Sequence, residues 1–271
     1  MMPCSVFDLG IDNGVNMPTE EPIRIVVYGA GGRSGSLVCE EIMRRKRTGE
    51  VKLVSAVSHP GGQSVGRVCA PLPDAPIITA EFSGECDAVI DFSTPDGTLA
   101  ALSCAEKNGA ALLIATTGLP DSTLSRIEGA SKFIPIIIAP NTSACVTVLL
   151  DTVRRITKSL GSDTRVEIVE THHKKKKDAP SGTALAIGRV VEEAGGSVKP
   201  GQYHSLRGGG VIGEHSVRFY CDDDYLEVRH VATSRRLFAA GALRGVLWLT
   251  RRKNQPGLYS MMDVIEGTAR S

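Results

Sequence analysis

From Ile23 to about Ala139, short apolar runs alternate with longer amphipathic stretches. The runs cover residues 25–28, 53–57, 88–92, 111–115 and 134–139. Each is apolar almost throughout and of strand length. Between several of them the apolar positions recur at helical spacing, over residues 35–47, 97–107 and 121–131. A strand that is apolar on every residue is buried on both faces, and strands separated by helices form a parallel sheet covered on both sides. The first half of the chain therefore predicts an α/β fold built on a Rossmann-type parallel sheet.

Past Asn141 the rhythm changes. A helical pattern over residues 146–160 leads into a strand at 165–170, a polar loop and a helix from Thr183. Two strand-like runs, 216–221 and 225–232, flank the polar turn Asp222, Asp223 and Asp224. Strands joined so tightly pair antiparallel, so a mixed α/β unit is predicted here. Residues 237–250 read as one more helix, and no internal repeat is visible.

Composition narrows the picture. A length of 271 residues suits one large domain or two ordinary ones. Aromatic residues are only 4%, so the core must be built from Val, Ile, Leu and Ala. The net charge of +1 provides no field for nucleic acid or an acidic partner. The seven cysteines are scattered without a Cys-x-x-Cys pair. That usage suits reduced thiols in a cytoplasm and predicts neither a disulfide framework nor a metal site. No apolar run reaches the roughly 20 residues that span a membrane. Residues 1–22 mix Asp, Glu, Pro and Gly and are expected to be a loosely docked extension.

The first strand runs into Gly29, Ala30, Gly31, Gly32, Arg33, Ser34 and Gly35, and then into a helix. A strict Gly-x-Gly-x-x-Gly reading fails at Ser34, but Gly29, Gly32 and Gly35 are evenly spaced. Glycine permits a tight turn and close backbone approach to a pyrophosphate, and the helix start offers unpaired N–H groups. The second strand ends in Ser58 and His59, with no carboxylate where an NAD site usually carries one for the adenosine ribose. An acid there would repel a 2′-phosphate, so its absence favours NADPH over NADH. Polar clusters end the later strands: Asp91 to Asp96, then Ala115, Thr116 and Thr117, then Ala139, Pro140, Asn141 and Thr142. Thr116 and Thr117 are expected to offer hydroxyl and backbone groups to a ribose or nicotinamide, and Asn141 to bond a carboxamide.

The densest chemistry lies between Glu167 and Thr183: adjacent His172 and His173, four lysines from Lys174 to Lys177, and a Ser181, Gly182, Thr183 turn. Cations attract a small polyanion. Ser181 stands where a helix N-cap is expected, and such a helix start can hold a carboxylate. A histidine can supply or take a proton near neutral pH.

This run resembles the signature of the dihydrodipicolinate reductase family. Glu167, Glu170, His172, His173, Lys176, Asp178, Ala179, Pro180, Ser181, Gly182, Thr183 and Ala184 match it. The glycine loop is similar to that family's Gly-Ala-Gly-Gly-Arg-Met-Gly turn. Asp91 to Ser93, Thr116 to Gly118, Asn141, Gly213 to His215, Ser234 with Arg235, and Ala240 to Ala242 match as well. The resemblance covers Ile23 to about Gly267.

It implies a nucleotide-binding domain over residues 23–142, a substrate-binding and tetramerisation domain over 143–235, and a segment from 236 to 271 that returns to the nucleotide domain. It implies reduction, by NADPH or NADH, of a small cyclic dicarboxylate in diaminopimelate and lysine biosynthesis, by a cytoplasmic homotetramer. His172 matches the acid/base histidine and Lys176 a proton-donating lysine. His173, Lys176, Ser181, Gly182 and Thr183 match ligands to substrate carboxylates. Cofactor contacts map to Gly29 through Ser34, Ser58, His59, Ala115 through Thr117, and Ala139 through Thr142, and Arg235 lies near the hinge. Several positions depart from the pattern: Ser58 and His59 replace a common acid and arginine, Ala115 a glycine, and Thr142 an aromatic residue, while residues 200–210 form a shorter loop. Rival readings are a semialdehyde dehydrogenase using Cys145 as nucleophile, and a nicotinamide-binding protein without turnover.

Overall fold

The computed structural model describes residues 21–46 and 49–267. The expected extension, residues 1–22, lies outside them except for Glu21 and Pro22. The first four long apolar runs become β1 (Ile23–Tyr28), β2 (Val51–Val57), β4 (Ala88–Asp91) and β5 (Ala111–Ile114), and the fifth becomes β6 (Pro135–Ile138). Two short strands that periodicity could not reveal join them, β3 (Ile78–Thr79) and β11 (Gly257–Tyr259). All neighbouring pairs are parallel, in the order β11-β6-β5-β4-β1-β2-β3.

Side chains alternate between the two faces of this sheet, with one register shift where β1 pairs with β2. Ile25, Val27, Ile90, Leu113 and Ile137 face α1 (Arg33–Arg45) and α6 (Arg236–Thr250). Val26, Tyr28, Val89, Leu112, Ile114 and Ile136 face α2 (Pro95–Asn108) and α3 (Asp121–Ala130). Both faces are dry, which is why the strands carry no polar alternation.

The second sheet has the order β10-β9-β7-β8, from β7 (Arg165–His172), β8 (Tyr203–Arg207), β9 (Gly213–Tyr220) and β10 (Tyr225–Ala232). β9 is antiparallel to β7 and β10, and β8 is parallel to β7. One face buries Val166, Ile168, Val217 and Phe219 beneath α4 (Ala144–Leu160) and α5 (Gly182–Glu193). The other face carries Arg165, Glu167, His204, Arg218 and Tyr220 around a cavity of about 610 Å³. The 200–210 stretch is thus more than the shortened loop expected, because it contains β8. That strand lies on the sheet edge and is largely exposed, so it shows no apolar period.

α6 follows the second sheet in sequence but packs on the first. Its fit depends on Gly241, where a Cβ would stand 1.8 Å from the Thr142 carbonyl oxygen. Thr142, itself buried, donates its hydroxyl to the Phe238 carbonyl at 2.7 Å. The chain closes with α7 (Met261–Glu266). Gly241→Ala is expected to destabilise the protein by about 1–3 kcal/mol, because the contact is with backbone that cannot rotate away. Gly129→Ala on α3, where a Cβ meets nothing within 4 Å, is expected to be neutral or stabilising by up to about 1 kcal/mol. Urea midpoints of the two variants compared with wild type check this; equal midpoints would mean that α6 slides freely.

Candidate active site

The loops that follow β1, β2, β4, β5 and β6 share one rim of the parallel sheet. Strand order reverses at β1, which has β2 on one side and β4 on the other. Such a switch point leaves a crevice for ligand. Gly29 has φ 77°, and a Cβ there would meet the Phe92 carbonyl oxygen at 2.3 Å. Gly35 packs the helix onto this turn, its added Cβ falling 2.1 Å from the Gly29 oxygen. Gly32 begins α1 with no side-chain cap and no acid in the first turn. Its N–H groups are left for an anion, with Arg33 exposed beside them. The backbone at Gly31 faces the hydroxyls of Ser64 and Ser58, which bond each other at 3.0 Å. This bare groove with an open helix start fits the pyrophosphate and ribose of a dinucleotide.

Further along the rim, several predicted residues are engaged within the protein. Thr116 is buried and donates to Asp91 Oδ2 at 2.8 Å while accepting from the Ser93 amide at 3.0 Å. Asp91 is fully buried and also accepts from Thr98 at 2.6 Å, from the Ser93 amide at 2.9 Å, and from the Ser93 hydroxyl. Burial pushes this carboxyl up, against those bonds. Asp91 and the Ser93 amide thus engage the Thr116 hydroxyl, and Thr117, exposed next to it, presents its side chain on the rim. The Thr142 hydroxyl is likewise engaged, by a bond to α6. Ala115 and Ala139 are buried and leave backbone at the rim, whereas Pro140 is exposed. Asn141 accepts from the Ser143 amide at 2.9 Å and donates to Thr183 Oγ1 at 3.2 Å. It therefore links the sheet rim to the second domain's helix.

Across from the rim, the C-terminal end of β7 presents Glu170 and His172. Glu170 is 1% exposed and receives four bonds: Arg207 Nη1 at 2.8 Å, Arg207 Nη2 at 2.7 Å, the Ser181 amide at 3.2 Å and His172 Nδ1 at 2.5 Å. Burial opposes its ionisation, but the Arg207 guanidinium, together with Ser205 and His172, holds it down to about 2. A carboxylate can only accept, so His172 Nδ1 carries a proton and Nε2 is the reactive nitrogen. Nε2 lies over Gly213, where a Cβ would be 3.0 Å away. Burial lowers the His172 basicity, with Lys176 and Arg207 adding to the effect and Glu170 opposing it.

Lys176 pairs with Asp178 at 2.8 Å. Ser181 caps α5 by accepting from the Ala184 amide at 3.2 Å. Gly182 and Thr183 follow at the helix start. His173 is half-buried; desolvation lowers its basicity first, and then the charges of Arg235, Arg33, Lys176 and Arg207 do. Arg33 belongs to the glycine loop and Arg235 to the start of α6, so the positive charges that disfavour a proton on His173 come from different parts of the chain. Such a field suits a small dianion. Among the described residues, no group of three or more His, Cys, Asp or Glu is arranged to hold a metal.

The sequence reading assigned no role to Arg207, Ser64 or His215. Arg207 sits on the edge strand that lacks a period, and Ser64 in a polar loop. His215 stood in a matched Gly-Glu-His run, which was its only signal. Cys145, the semialdehyde candidate, is exposed on the first turn of α4.

The family model "Dihydrodipicolinate reductase, N-terminus" matches residues 23–142, and "Dihydrodipicolinate reductase, C-terminus" matches 145–265. The 4-hydroxy-tetrahydrodipicolinate reductase of Rubrobacter xylanophilus is 39% identical over 267 residues, covering 91% of this chain and 99% of that one. The Pseudomonas fluorescens (strain Pf0-1) enzyme of the same name is 37% identical over 268 residues, covering 89% and 98%. In fold, the chain is similar to a dipicolinate-bound dihydrodipicolinate reductase from Paenisporosarcina sp. TG-14, with TM-score 0.69 at 20% identity over 88% of this chain and 97% of that one. GenD2 from gentamicin A biosynthesis, in complex with NAD, shares the fold at TM-score 0.57 and 11% identity over 94% and 93%. On the strength of both family models and of relatives matched over nearly their full length, this chain belongs to the dihydrodipicolinate reductase family.

Proposed function

We propose that the chain reduces 4-hydroxy-tetrahydrodipicolinate or its dehydrated form, dihydrodipicolinate, to tetrahydrodipicolinate with NAD(P)H, in diaminopimelate and lysine biosynthesis. The observation that carries this reading is the cluster at the end of β7 and the start of α5, where buried Glu170 orders His172, Arg207 and the Ser181 amide, with Asn141 of the sheet rim bonded to Thr183. Residues 23–142 with the segment from 236 hold the nucleotide, and residues 143–235 hold the substrate. No helix among the described residues is long and apolar enough to cross a membrane. The reduced cysteines suit a cytoplasmic setting. Among the described residues no helix packs over the sheet face carrying Arg165, His204, Arg218 and Tyr220, which supports association of subunits there as a homotetramer.

The groove at Gly29 through Ser34, with Ser58 and His59, holds the nucleotide, and the rim from Ala115 to Thr117 and from Ala139 to Thr142 holds the nicotinamide end, through backbone where the side chains are engaged. When bound, the nicotinamide supplies a hydride. Ser181, Gly182 and Thr183, with His173 and Lys176, hold the substrate carboxylates through helix N–H groups and positive charge. As a ring carbon accepts hydride, the conjugated imine becomes electron-rich, and a cation close to it stabilises that charge. Lys176 supplies the cation. His172 Nε2, its Nδ1 fixed by Glu170, is the group through which a proton is handed over.

The direct test follows nicotinamide absorbance while freshly made dihydrodipicolinate synthase product is added. Turnover is expected, and its absence with demonstrated NADPH binding would favour a binding protein. His172→Gln or Lys176→Ala should each lower kcat by roughly a hundredfold, the scale of a positioned acid–base group. Near-normal kcat in both variants would remove them from the chemistry.

The pH profile carries a signed expectation. Arg207 is one of the charges that depress the basicity of His172. Arg207→Gln removes that charge and leaves Glu170 more fully to His172, so the His172 pKa rises. The limb of the kcat/KM profile governed by His172 should therefore move to higher pH. A limb that stays in place or moves down would dissociate His172 from the profile.

Cofactor choice rests on the Ser58 and Ser64 hydroxyls beside Gly31. Ser58 accepts from Ser64 and keeps its own proton to donate to a 2′-phosphate, whereas a carboxylate at position 58 would repel it. NADPH is therefore preferred. A charged hydrogen bond is worth about 1.5–3 kcal/mol, or about ten- to a hundredfold. Ser58→Glu is expected to shift the ratio of kcat/KM values toward NADH by about that factor. A wild type that favours NADH, with no change in the variant, would place recognition elsewhere.

A further inference from the structure

His215 lies on β9, directly paired with Glu170 on β7 and with His230 on β10. It is 4% exposed. Its ring stands edge-on to His172, with centroids 5.2 Å apart. Nε2 lies 3.1 Å from the Ser181 hydroxyl, while Nδ1 is buried and has no hydrogen-bond partner among the described residues. The ring is neutral near pH 7, because burial and then the nearby His172 and His230 drive its basicity down to about 3. A neutral imidazole carries one N–H, so two arrangements exist.

With the proton on Nδ1, a donor would be sealed away from any acceptor, and Ser181 would have to spend its own proton on Nε2. With the proton on Nε2, the ring donates to Ser181 Oγ, and only a lone pair is left unpaired at Nδ1. Ser181 Oγ already accepts from the Ala184 amide at 3.2 Å. It then accepts from His215 as well, both lone pairs are filled, and the hydroxyl proton has nothing inside the fold to bond. A buried hydroxyl can accept two bonds and donate one, so its donor is directed to whatever occupies the cleft at the start of α5.

We infer that His215 is a positioning residue that holds the Ser181 hydroxyl as a hydrogen-bond donor to a substrate carboxylate. This rests on the substrate reading proposed above and adds the residue that imposes the direction of that bond. His215 touches neither substrate nor cofactor. It acts through Ser181: without it one lone pair of the hydroxyl is unfilled, and the O–H is no longer held in the direction of the carboxylate. Burial and edge contact with His172 keep the ring from taking up a charge that would compete for the dianion.

Three measurements test the inference. Nitrogen-15 spectra of histidine-labelled wild-type protein report the tautomer directly. Protonated Nε2 and bare Nδ1 in His215 are expected, and the reverse overturns the inference. Binding of pyridine-2,6-dicarboxylate in the presence of NADPH is then measured by calorimetry for His215→Gln and His215→Leu. The Gln amide nitrogen reaches the Nε2 position and should keep affinity within about threefold, while Leu should weaken it about ten- to a hundredfold, with KM rising more than kcat falls. Wild-type affinity in a folded His215→Leu protein overturns the inference.

Finally, in a Ser181→Ala background, His215→Leu should add less than about threefold. A full-sized further loss there means that His215 does not act through Ser181 and also overturns it. A wild type that fails to bind the dicarboxylate at millimolar concentration overturns the substrate reading together with this inference. Binding by wild type and His215→Leu alike overturns only the inference.

Discussion

A single buried carboxylate organises the substrate side of this protein. Glu170 is almost completely withdrawn from water, and a lone charge in that position would cost several kcal/mol. It is tolerated because donors from separate parts of the chain are aimed at it: Arg207 from β8, the Ser181 amide from the start of α5, and His172 from its own strand. The dependence also runs the other way. Because the carboxylate must be satisfied, strand edge, helix start and histidine ring are held in one relative geometry. Arg207 extends the constraint by donating to the Asp178 carbonyl at 2.6 Å, which ties down the loop that carries Lys176.

The nucleotide side uses the same device in a different form. Asp91 gathers Ser93, Thr98 and Thr116 with hydroxyl and amide donors and no cation. Burial therefore raises its pKa, whereas the guanidinium beside Glu170 lowers that one. One carboxyl is fixed by neutral hydrogen bonds at the end of the parallel sheet, the other by a cation at the end of the mixed sheet. The bond from Asn141 to Thr183 runs between them, and that from Thr142 to Phe238 ties the same segment to α6. Both start from the segment after β6, where the chain leaves the first sheet, so the rim that faces a nicotinamide and the helix that faces a carboxylate share one short stretch of backbone.

Much of this was legible in the sequence, for physical reasons. β1, β2, β4, β5 and β6 were visible because a strand buried on both faces has no room for polar residues. The cationic loop and the glycine turn were visible because their chemistry is concentrated in consecutive residues. What stayed hidden depends on contacts between distant parts of the chain. β8 lies on an edge and is largely exposed, so its five residues show no apolar period. Arg207 on that strand gains its role only from Glu170, 37 residues away. The Thr116 hydroxyl was expected at the ligand, and nothing local marked that of Thr142 as engaged, because a threonine at a strand end looks the same whether its hydroxyl points out or in. Only Asp91 and the Phe238 carbonyl decide that it points in.

The three histidines of the site show how one side chain takes different parts according to what surrounds it. His172 is buried against a carboxylate, which fixes its tautomer and leaves one nitrogen for proton exchange. His173 is half-buried among four cations, which disfavour its own charge and leave it as a neutral hydrogen-bonding group beside a strong positive field. His215 is buried with only a hydroxyl as partner, so it stays neutral. Burial and neighbouring charge thus oppose protonation of all three, and the attraction for a dianion is left to lysine and arginine, whose charge does not vary near neutral pH. On the function proposed, the charge that attracts a dicarboxylate and the nitrogen that exchanges a proton are therefore carried by different side chains, because burial against Glu170 fixes His172 by hydrogen bonding while the cations around it are lysine and arginine.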